Sequence, residues 1–285
     1  LRDGKKTGSM ITSETNAAEV TKLMIGRDIV QEYKKVEKNI GENVLKVENL
    51  CKKGQYRDIS FEVKKGEIVG LYGLVGAGRT EIAETIFGLR KPDSGKIIIN
   101  NEEAKNYDAK KAIELGIGYI PEDRKKNGLV LCMNSLQNMS LTVINRVQKF
   151  SFVIRNRENN IYREYVPKLS IKVLSPTFPV NKLSGGNQQK IVISKWLAAN
   201  PQLLILDEPT RGIDVGAKAE IHQLIKEMAK NGVAVLVISS EMPEIMGVSD
   251  RIITIWQGKQ TAEFNGETVE EIDLINGATN QVNYA

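Results

Sequence analysis

Two stretches of this sequence carry residue types that handle phosphate and metal ions. Residues 73–80 read GLVGAGRT and stand between an apolar segment and a helical pattern. Glycines at this spacing let backbone N–H groups converge on a phosphate at a helix N-terminus, as in a P-loop. The expected phosphate ligands are Gly73, Gly76, Gly78, Arg79 and Thr80, and the Thr80 hydroxyl is also an expected Mg²⁺ ligand.

The second stretch, residues 203–209, is an apolar strand that ends in two carboxylates. In nucleotide hydrolysis, Asp207 would hold the hydrated metal and Glu208 would be the general base that activates water. A strand whose terminal acids cap the next helix is the alternative interpretation. The presence of a P-loop earlier in the same chain favours the nucleotide site.

The P-loop departs from its usual pattern at one position. Arg79 stands where the motif has lysine. The exchange keeps the charge but replaces a compact ammonium with a bulkier planar guanidinium. We therefore expect nucleotide binding to persist and hydrolysis to suffer. A glycine-rich turn without a ligand would be the safer interpretation if the motif stood alone.

Short apolar segments alternate with helical patterns along most of the chain, which predicts a mostly parallel sheet covered by helices. The predicted strands are 44–50, 59–63, 68–72, 95–99, 117–120, 203–206 and 233–238, and the predicted helices are 109–115, 187–199 and 216–230. Residues 134–182 are instead rich in Asn, Ser and Arg and predict a small helical insertion. The only histidine, His222, lies on the polar side of helix 216–230, so we expect it at the surface.

Composition excludes several classes of protein. A net charge of +5 could signal nucleic acid, but basic and acidic residues are interleaved, which is typical of a solvated surface. No apolar run is long enough to span a bilayer. Cys51 and Cys132 lack metal-site spacing and suggest a reducing cytosol. The start at Leu1 has neither Met nor a signal pattern, so we expect a piece of a longer chain.

The two ends of the sequence resemble each other. Residues 4–26 and 258–277 both predict a turn, a short strand and a helix closed by glycine. If the similarity is real, residues 1–26 are the tail of a preceding copy of the same domain and 27–43 are a linker. Chance similarity between two amphipathic helices is the alternative.

Residues 183–189, LSGGNQQ, resemble the signature motif of ATP-binding cassette proteins. A serine and glycines before a helix offer N–H groups, a hydroxyl and a positive dipole end to a γ-phosphate. A serine N-cap alone would explain only the first polar residue of the motif. The resemblance implies five nucleotide-binding residues, Ser184, Gly185, Gly186, Asn187 and Gln188.

The same family supplies three further matches. Asp214 lies in a segment that resembles the D-loop, Glu122 replaces the Q-loop glutamine, and Ser240 replaces the switch histidine as a catalytic residue. Together with Arg79, the last two predict a coordinated weakening of this domain's own site. Tyr56 is the nearest candidate for stacking on adenine, although a packing role is as well supported.

The combined motifs most closely resemble the second cassette of bacterial importers for monosaccharides of the ribose, galactoside and xylose type. The resemblance implies an α/β nucleotide-binding domain with a RecA-like P-loop core, an antiparallel β subdomain and an α-helical signature subdomain. The cassette would span 44–277, with the signature subdomain at 134–200 and a tail at 278–285.

The resemblance also implies a function, namely coupling of ATP and Mg²⁺ binding and hydrolysis to monosaccharide uptake, with ribose or a similar sugar as cargo. The expected partners are a first cassette in the same full-length chain, transmembrane permease subunits and, indirectly, a periplasmic or extracellular sugar-binding protein, at the cytoplasmic face of the membrane. The intact signature would complete the competent site of the first cassette, and the isolated chain would have weak ATPase activity. The permease would contact residues 122–131 and the insertion.

Two alternatives belong to other classes. A regulatory nucleotide-binding module would suit the altered P-loop but would have no use for the intact signature. A soluble cassette ATPase acting on nucleic acid would suit the basic pI of 9.0. That class is expected to show a coiled coil, a zinc-bearing insertion or clustered basic residues, none of which the sequence predicts.

Overall fold

A computed structural model describes residues 8–11, 15, 38–105 and 107–281. Most of the predicted tail of a preceding copy, 1–26, and of the predicted linker, 27–43, lies outside these residues; the last residues of the linker, 38–43, are described, and Asn43 begins the first strand. The similarity between the two ends of the chain, and the domain bounds drawn from it, therefore remain predictions.

The described residues form twelve strands, ten of which make one sheet. They are β1 Asn43–Lys52, β2 Tyr56–Lys64, β3 Ile68–Tyr72, β4 Ser94–Ile99, β5 Glu102–Glu103, β6 Ile117–Ile120, β7 Gln148–Lys149, β8 Phe152–Val153, β9 Leu203–Asp207, β10 Ala234–Ser239, β11 Arg251–Trp256 and β12 Lys259–Asn265. The α-helices are α1 Arg79–Ile86, α2 Ala109–Glu114, α3 Ser135–Ser140, α4 Ile144–Val147, α5 Arg155–Lys168, α6 Gly185–Leu197, α7 Val215–Lys230, α8 Met242–Val248 and α9 Glu271–Thr279.

One half of the sheet is parallel and carries the predicted nucleotide motifs. Its order is β11-β3-β10-β9-β6, and the register pairs Tyr72 with Ser239, Ile238 with Asp207, and Leu206 with Ile120. Strands β3 and β9 are buried along their whole length, which explains their unbroken apolar sequences. Because the carboxyl ends of these strands are level, the loops that follow them meet at one edge.

The other half of the sheet is antiparallel, with the order β5-β4-β1-β2. A single residue pair, Lys259 with Arg57, joins β12 to β2 and so links the halves. The predicted α/β fold with an antiparallel β subdomain is confirmed.

The predicted helical insertion, 134–182, lies between β6 and β9. Helix α3 packs against both α5 and α6, and Asn134 caps the N-terminus of α3 in a capping box with Gln137. A two-stranded hairpin, β7–β8, also lies here and was not predicted, because strands of two residues are too short for an alternating pattern.

Two predicted helix ends differ from the structure. Helix α6 begins at Gly185 rather than at residue 187. Helix α9 continues past Gly277 to Thr279 and ends at Asn280, whose φ is 57°. Gly277 is instead a packing glycine, because an added Cβ would lie 2.4 Å from Thr254 Oγ1. Within the described ranges, the helices are all too short or too polar to cross a bilayer.

Candidate nucleotide site

The glycine-rich loop connects β3 to α1, the arrangement that a P-loop requires. Gly76 and Gly78 have φ of 81° and 99°, a region that glycine adopts without strain. Gly73 is needed for close approach, since an added Cβ would lie 2.3 Å from the carbonyl oxygen of Ile255. Glycine at these positions is therefore dictated by local geometry, and the loop leaves Val75 exposed at the sheet edge.

The Arg79 side chain points into the site and is 7% exposed. Its Nη2 lies 3.6 Å from Glu208 Oε1, while its Nη1 is buried and has no hydrogen-bond acceptor among the described residues. Burial lowers the pKa of this guanidinium, and the carboxylates of Glu208 and Asp207 oppose that effect. A buried cation with an unused donor is suited to an anion such as a phosphate.

Asp207 ends β9 and is completely buried. The Tyr119 hydroxyl donates to its Oδ2 at 3.2 Å, and its Oδ1 accepts no hydrogen bond from the described part of the chain. Burial raises the pKa of Asp207 to about 6, against the effect of the Thr80 and Tyr119 hydroxyls. Tyr119 is a residue that sequence reasoning missed, since only the β6–β9 pairing brings it to Asp207.

Glu208 follows directly and adopts an unusual backbone conformation, with φ of 46°. Strain of this kind, about 1–3 kcal/mol, persists only where surrounding contacts impose it. The contacts here are the Glu208 N–H to the Ile238 carbonyl at 2.8 Å and the Ser240 N–H to Glu208 Oε1 at 2.8 Å. The predicted general base is therefore held by the loop after β10 and by Arg79.

The prediction that His222 lies at the surface is wrong. His222 is 6% exposed, and its Nε2 lies 2.9 Å from Oε1 of the buried Glu244 on α8. Oε2 of Glu244 accepts a 2.6 Å hydrogen bond from Ser239, whose Oγ in turn accepts one from the Glu241 N–H. Burial raises the pKa of Glu244, but His222 and Ser239 oppose it and lower the pKa overall. A polar residue is tolerated on this helix face because α8 supplies a carboxylate.

Glu122 and Asp214 lie apart from this cluster. Glu122 forms an ion pair with Arg211, and Arg124 donates to the carbonyls of Arg211 and Gly212 at 2.6 and 3.0 Å. Asp214 is exposed and caps α7 by accepting from the Ala217 N–H at 2.9 Å. The loop after β6 is thus tied to the predicted D-loop.

The predicted signature residues start α6, where their roles divide. Ser184 is exposed at the N-cap and accepts 2.9 Å from the Asn187 side chain. Gly186 is buried against α7, where an added Cβ would lie 2.5 Å from Ala217 Cβ. Gln188 is 4% exposed and donates to the carbonyls of Val180 and Leu183, so its side chain stabilises the preceding turn.

Among the described residues, neither a hydrogen bond nor an ion pair joins the P-loop to this signature segment. The chain therefore brings together Arg79, Thr80, Asp207, Glu208 and Ser240, while Ser184, Gly185, Gly186, Asn187, Gln188, Glu122 and Asp214 lie elsewhere. The predicted P-loop and the predicted signature motif therefore lie on different surfaces of the chain.

An open cleft of about 530 Å³ lies beside the P-loop, where Gln55 O approaches Gly78. The structure supports a packing role for Tyr56 rather than stacking on adenine. Tyr56 is 3% exposed and its hydroxyl lies 2.6 Å from Thr85 Oγ1, so its ring has no free face for a base. The cleft is lined by Cys51, Lys52, Lys53, Gly54, Gln55, Tyr56, Arg57, Asp93 and Gln257.

These features fit a magnesium-bound nucleotide. The glycine loop and the unused Arg79 donor suit phosphate oxygens, and Thr80 beside the free Asp207 oxygen suits a hydrated Mg²⁺.

Comparison with known proteins identifies the class. Residues 56–211, more than half of the chain, match the family model for ABC transporters. The chain belongs to the ABC transporter family, whose cassette domains are ATPases. The fold agrees, since an ATP-binding cassette solved as a dimer with ADP and phosphate superposes with a TM-score of 0.68, at 24% identity, over 78% of this chain and 98% of that one.

Within the family, the chain is similar to sugar import proteins. It is 44% identical over 279 residues to the ribose import ATP-binding protein of Geobacillus kaustophilus, covering 98% of this chain and 56% of that protein. It is 47% identical to a putative ribose/galactose/methyl galactoside import ATP-binding protein of Rhizobium meliloti, covering 96% of this chain and 54% of that protein. The chain spans about half the length of these relatives.

Proposed function

We propose that this chain is the second ATP-binding cassette of a monosaccharide importer, with ribose or a similar sugar as cargo. One observation carries the proposal. A buried Arg79–Glu208 pair lies in the P-loop site, while Ser184 of the predicted signature segment is exposed on a separate surface. The names of the relatives, which describe ribose and galactoside import, support the sugar class.

The two surfaces would serve different nucleotides. The signature segment would complete a site whose P-loop belongs to a first cassette, and this chain's own P-loop would receive the second nucleotide. The Geobacillus kaustophilus relative is nearly twice as long as this chain, which covers 56% of it. The remainder of that protein is long enough to hold a first cassette.

The P-loop site of this chain would bind nucleotide and hydrolyse it slowly. Bound Mg²⁺ would neutralise phosphate charge and organise attacking water. Arg79 would contact the phosphates, Thr80 and Asp207 would hold the metal, and Glu208 would be the base. Glu208 Oε1 already accepts a hydrogen bond from the Ser240 N–H and lies 3.6 Å from Arg79 Nη2, so this oxygen has protein partners before an attacking water is bound. Ser240 also lacks the imidazole that would contact a γ-phosphate.

When the two cassettes close on bound nucleotide, the movement would be transmitted to permease subunits at the cytoplasmic face of the membrane through residues 122–131 and the insertion. The Glu122–Arg211 and Arg124–Gly212 contacts support this route, because they fasten that segment to the predicted D-loop. The adenosine end of the nucleotide would lie in the cleft beside Gln55.

The test is ATPase activity of the full two-cassette protein assembled with its permease. Ser184→Arg, which places a bulky side chain on the exposed signature surface, is expected to lower activity at least about a hundredfold. Arg79→Ala is expected to lower it by less than about threefold. The matched control, Lys182→Arg, lies two residues before Ser184 at an exposed position and should leave activity unchanged.

The opposite ranking of the two variants would contradict the asymmetry. Rapid Mg²⁺-dependent turnover by the isolated chain, with first-order dependence on protein, would contradict the need for a first cassette. Normal sugar uptake after loss of Ser184 would contradict the motor function itself.

A further inference from the structure

The β7–β8 hairpin of the insertion presents apolar side chains to solvent. Phe150 is 84% exposed, Phe152 78% and Val153 46%. Single exposed apolar residues are ordinary, but three within four positions form a patch that calls for a partner. We call residues 147–154 the aromatic hairpin.

The aromatic hairpin is a fixed protrusion. Phe150 and Ser151 both have positive φ, 50° and 67°, which makes the tight two-residue turn typical of a hairpin. A bulky residue is rare in this region of φ, so Phe150 is sterically costly where it stands. At the base of the hairpin, Val147 is 3% exposed and its carbonyl accepts 2.8 Å from the Ile154 N–H.

The surroundings of the aromatic hairpin are cationic. Four exposed basic residues lie within twelve positions, and none forms an ion pair with a carboxylate of the described chain; they are Arg146, Lys149, Arg155 and Arg157. Arg146 and Arg157 donate to backbone carbonyls, which leaves their charges without a counter-charge. Lys149 Nζ lies 5.5 Å from the centre of the Phe150 ring. The only acid between residues 141 and 163 is Glu158, which is 8% exposed and accepts 2.7 Å from Ser140 Oγ.

From this combination of protruding phenylalanines with cations that have no carboxylate partner among the described residues, we infer that the aromatic hairpin inserts into the headgroup region of an anionic lipid bilayer. Membrane attachment by a surface element needs both apolar burial and attraction to anionic lipid, and the hairpin supplies both. Its convex tip of a few residues also fits a fluid partner better than a protein, since a stable protein interface takes about 800 Å² from each side.

The contact requires neither nucleotide nor a first cassette, so its test is separate from that of the proposed function. The purified chain is sedimented with vesicles of phosphatidylglycerol and phosphatidylcholine, and with vesicles of phosphatidylcholine alone. Binding is expected only to the anionic vesicles and is expected to weaken at about 0.5 M NaCl. The double variant Phe150→Ser/Phe152→Ser is expected to lower the partition coefficient at least about tenfold.

Leu174→Ser is the matched control, because Leu174 is 87% exposed but lies outside the aromatic hairpin. Its vesicle binding should equal that of the unchanged chain. Lys149→Glu/Arg155→Glu should also abolish binding to anionic vesicles. Circular dichroism and thermal melting establish that each variant is folded; the altered side chains are exposed, so little change is expected. The variant Phe152→Trp adds a tryptophan at the tip of the hairpin. If its fluorescence emission shifts to the blue when anionic vesicles are added, the tip lies in lipid.

Two results would overturn the inference. One is equal sedimentation of the double variant and the unchanged chain with anionic vesicles. The other is absence of vesicle binding by the unchanged chain; if the double variant then also couples less well to assembled permease, the hairpin is a protein contact.

Discussion

At the scale of single residues, the site is governed by buried charge. Arg79, Asp207 and Glu208 are three ionisable groups with little access to water, and the attraction of the Arg79 cation to the two carboxylates offsets part of the cost of burying them. This explains why an arginine can stand in the lysine slot. The guanidinium reaches Glu208 from the first turn of α1 and offsets one of the two carboxylate charges.

Arg79→Met is expected to weaken ATP binding by the isolated chain at least about tenfold, because the variant loses the cation and leaves Glu208 with the Ser240 N–H alone. Equilibrium binding of a fluorescent ATP analogue measures the effect. Arg163→Met, at an exposed position on α5, is the control. Unchanged affinity in Arg79→Met would show that the P-loop site does not hold nucleotide.

Lys195 provides a pH prediction. It is 8% exposed, its Nζ donates 2.5 Å to the Gly128 carbonyl, and burial lowers its pKa to about 8. Because its folded pKa is below its unfolded value of 10.5, its contribution to stability is full above 10.5 and is lost as the pH falls towards 8. Relative to Lys195→Met, the unchanged chain should gain up to about 3 kcal/mol of unfolding free energy between these values. Denaturant unfolding of both proteins at several pH values measures the difference, and a constant difference would contradict it.

At the scale of elements, α7 and α8 are joined to the end of β10 by polar contacts as well as by apolar packing. His222 on α7 and Ser239 on β10 share the carboxylate of Glu244 on α8. Lys218 of α7 forms a second link, 2.5 Å to Glu241 beside Ser240. The helix that follows the predicted D-loop is therefore fastened to the loop that holds Glu208.

His222→Ala is expected to lower the unfolding free energy by about 2 kcal/mol, because it leaves a buried carboxylate oxygen without its partner. His222→Gln, which keeps a donor, should recover part of the loss. Gln223→Ala changes an exposed neighbour on the same helix and should have little effect. Chemical denaturation measures the unfolding free energy of each variant. If all three variants were as stable as the unchanged chain, the buried His222–Glu244 pair would contribute nothing to stability.

The α6–α7 contact affects the choice of signature mutants. Gly186→Ala is expected to destabilise the fold by about 1–3 kcal/mol, since its added Cβ would lie 2.5 Å from Ala217 Cβ. Thermal melting of the isolated chain measures this, with Gly216→Ala as a control where the nearest atom to an added Cβ is at 3.4 Å. A loss of activity in Gly186 variants could therefore come from a destabilised fold as well as from a lost nucleotide contact. Ser184 is exposed, so its variants test the nucleotide contact without this effect on folding.

At the scale of the whole molecule, a narrow connection joins the two halves of the sheet. Strands β12 and β2 share one residue pair, and Arg251 reinforces the junction. Its guanidinium contacts Glu67 at 2.9 Å, Glu263 at 2.6 Å and the Glu62 carbonyl at 2.6 Å. The Arg251 side chain thereby joins three segments that belong to both halves of the sheet.

Arg251→Met is expected to lower the unfolding free energy by about 3 kcal/mol, because it leaves the buried Glu67 carboxylate without its cation. Calorimetry should show a lower melting temperature and, if the halves separate, a broader transition. Arg57→Met, which changes an exposed side chain of β2, is the comparison. An unchanged melting temperature would contradict the bracing role.

The sequence by itself determined the elements and motifs in which local pattern and chemistry coincide. The glycine loop, the apolar strand ending in Asp207 and the periodic helix α7 could be predicted, because backbone sterics, strand burial and helical periodicity act over a few residues. Only the tertiary structure decided what those residues meet. It buried His222 against Glu244, turned Tyr56 inward to Thr85, and brought Tyr119 to Asp207, since each partner comes from an element distant in the chain. Local sequence carries no record of such contacts, because they follow from strand order and helix packing rather than from spacing along the chain.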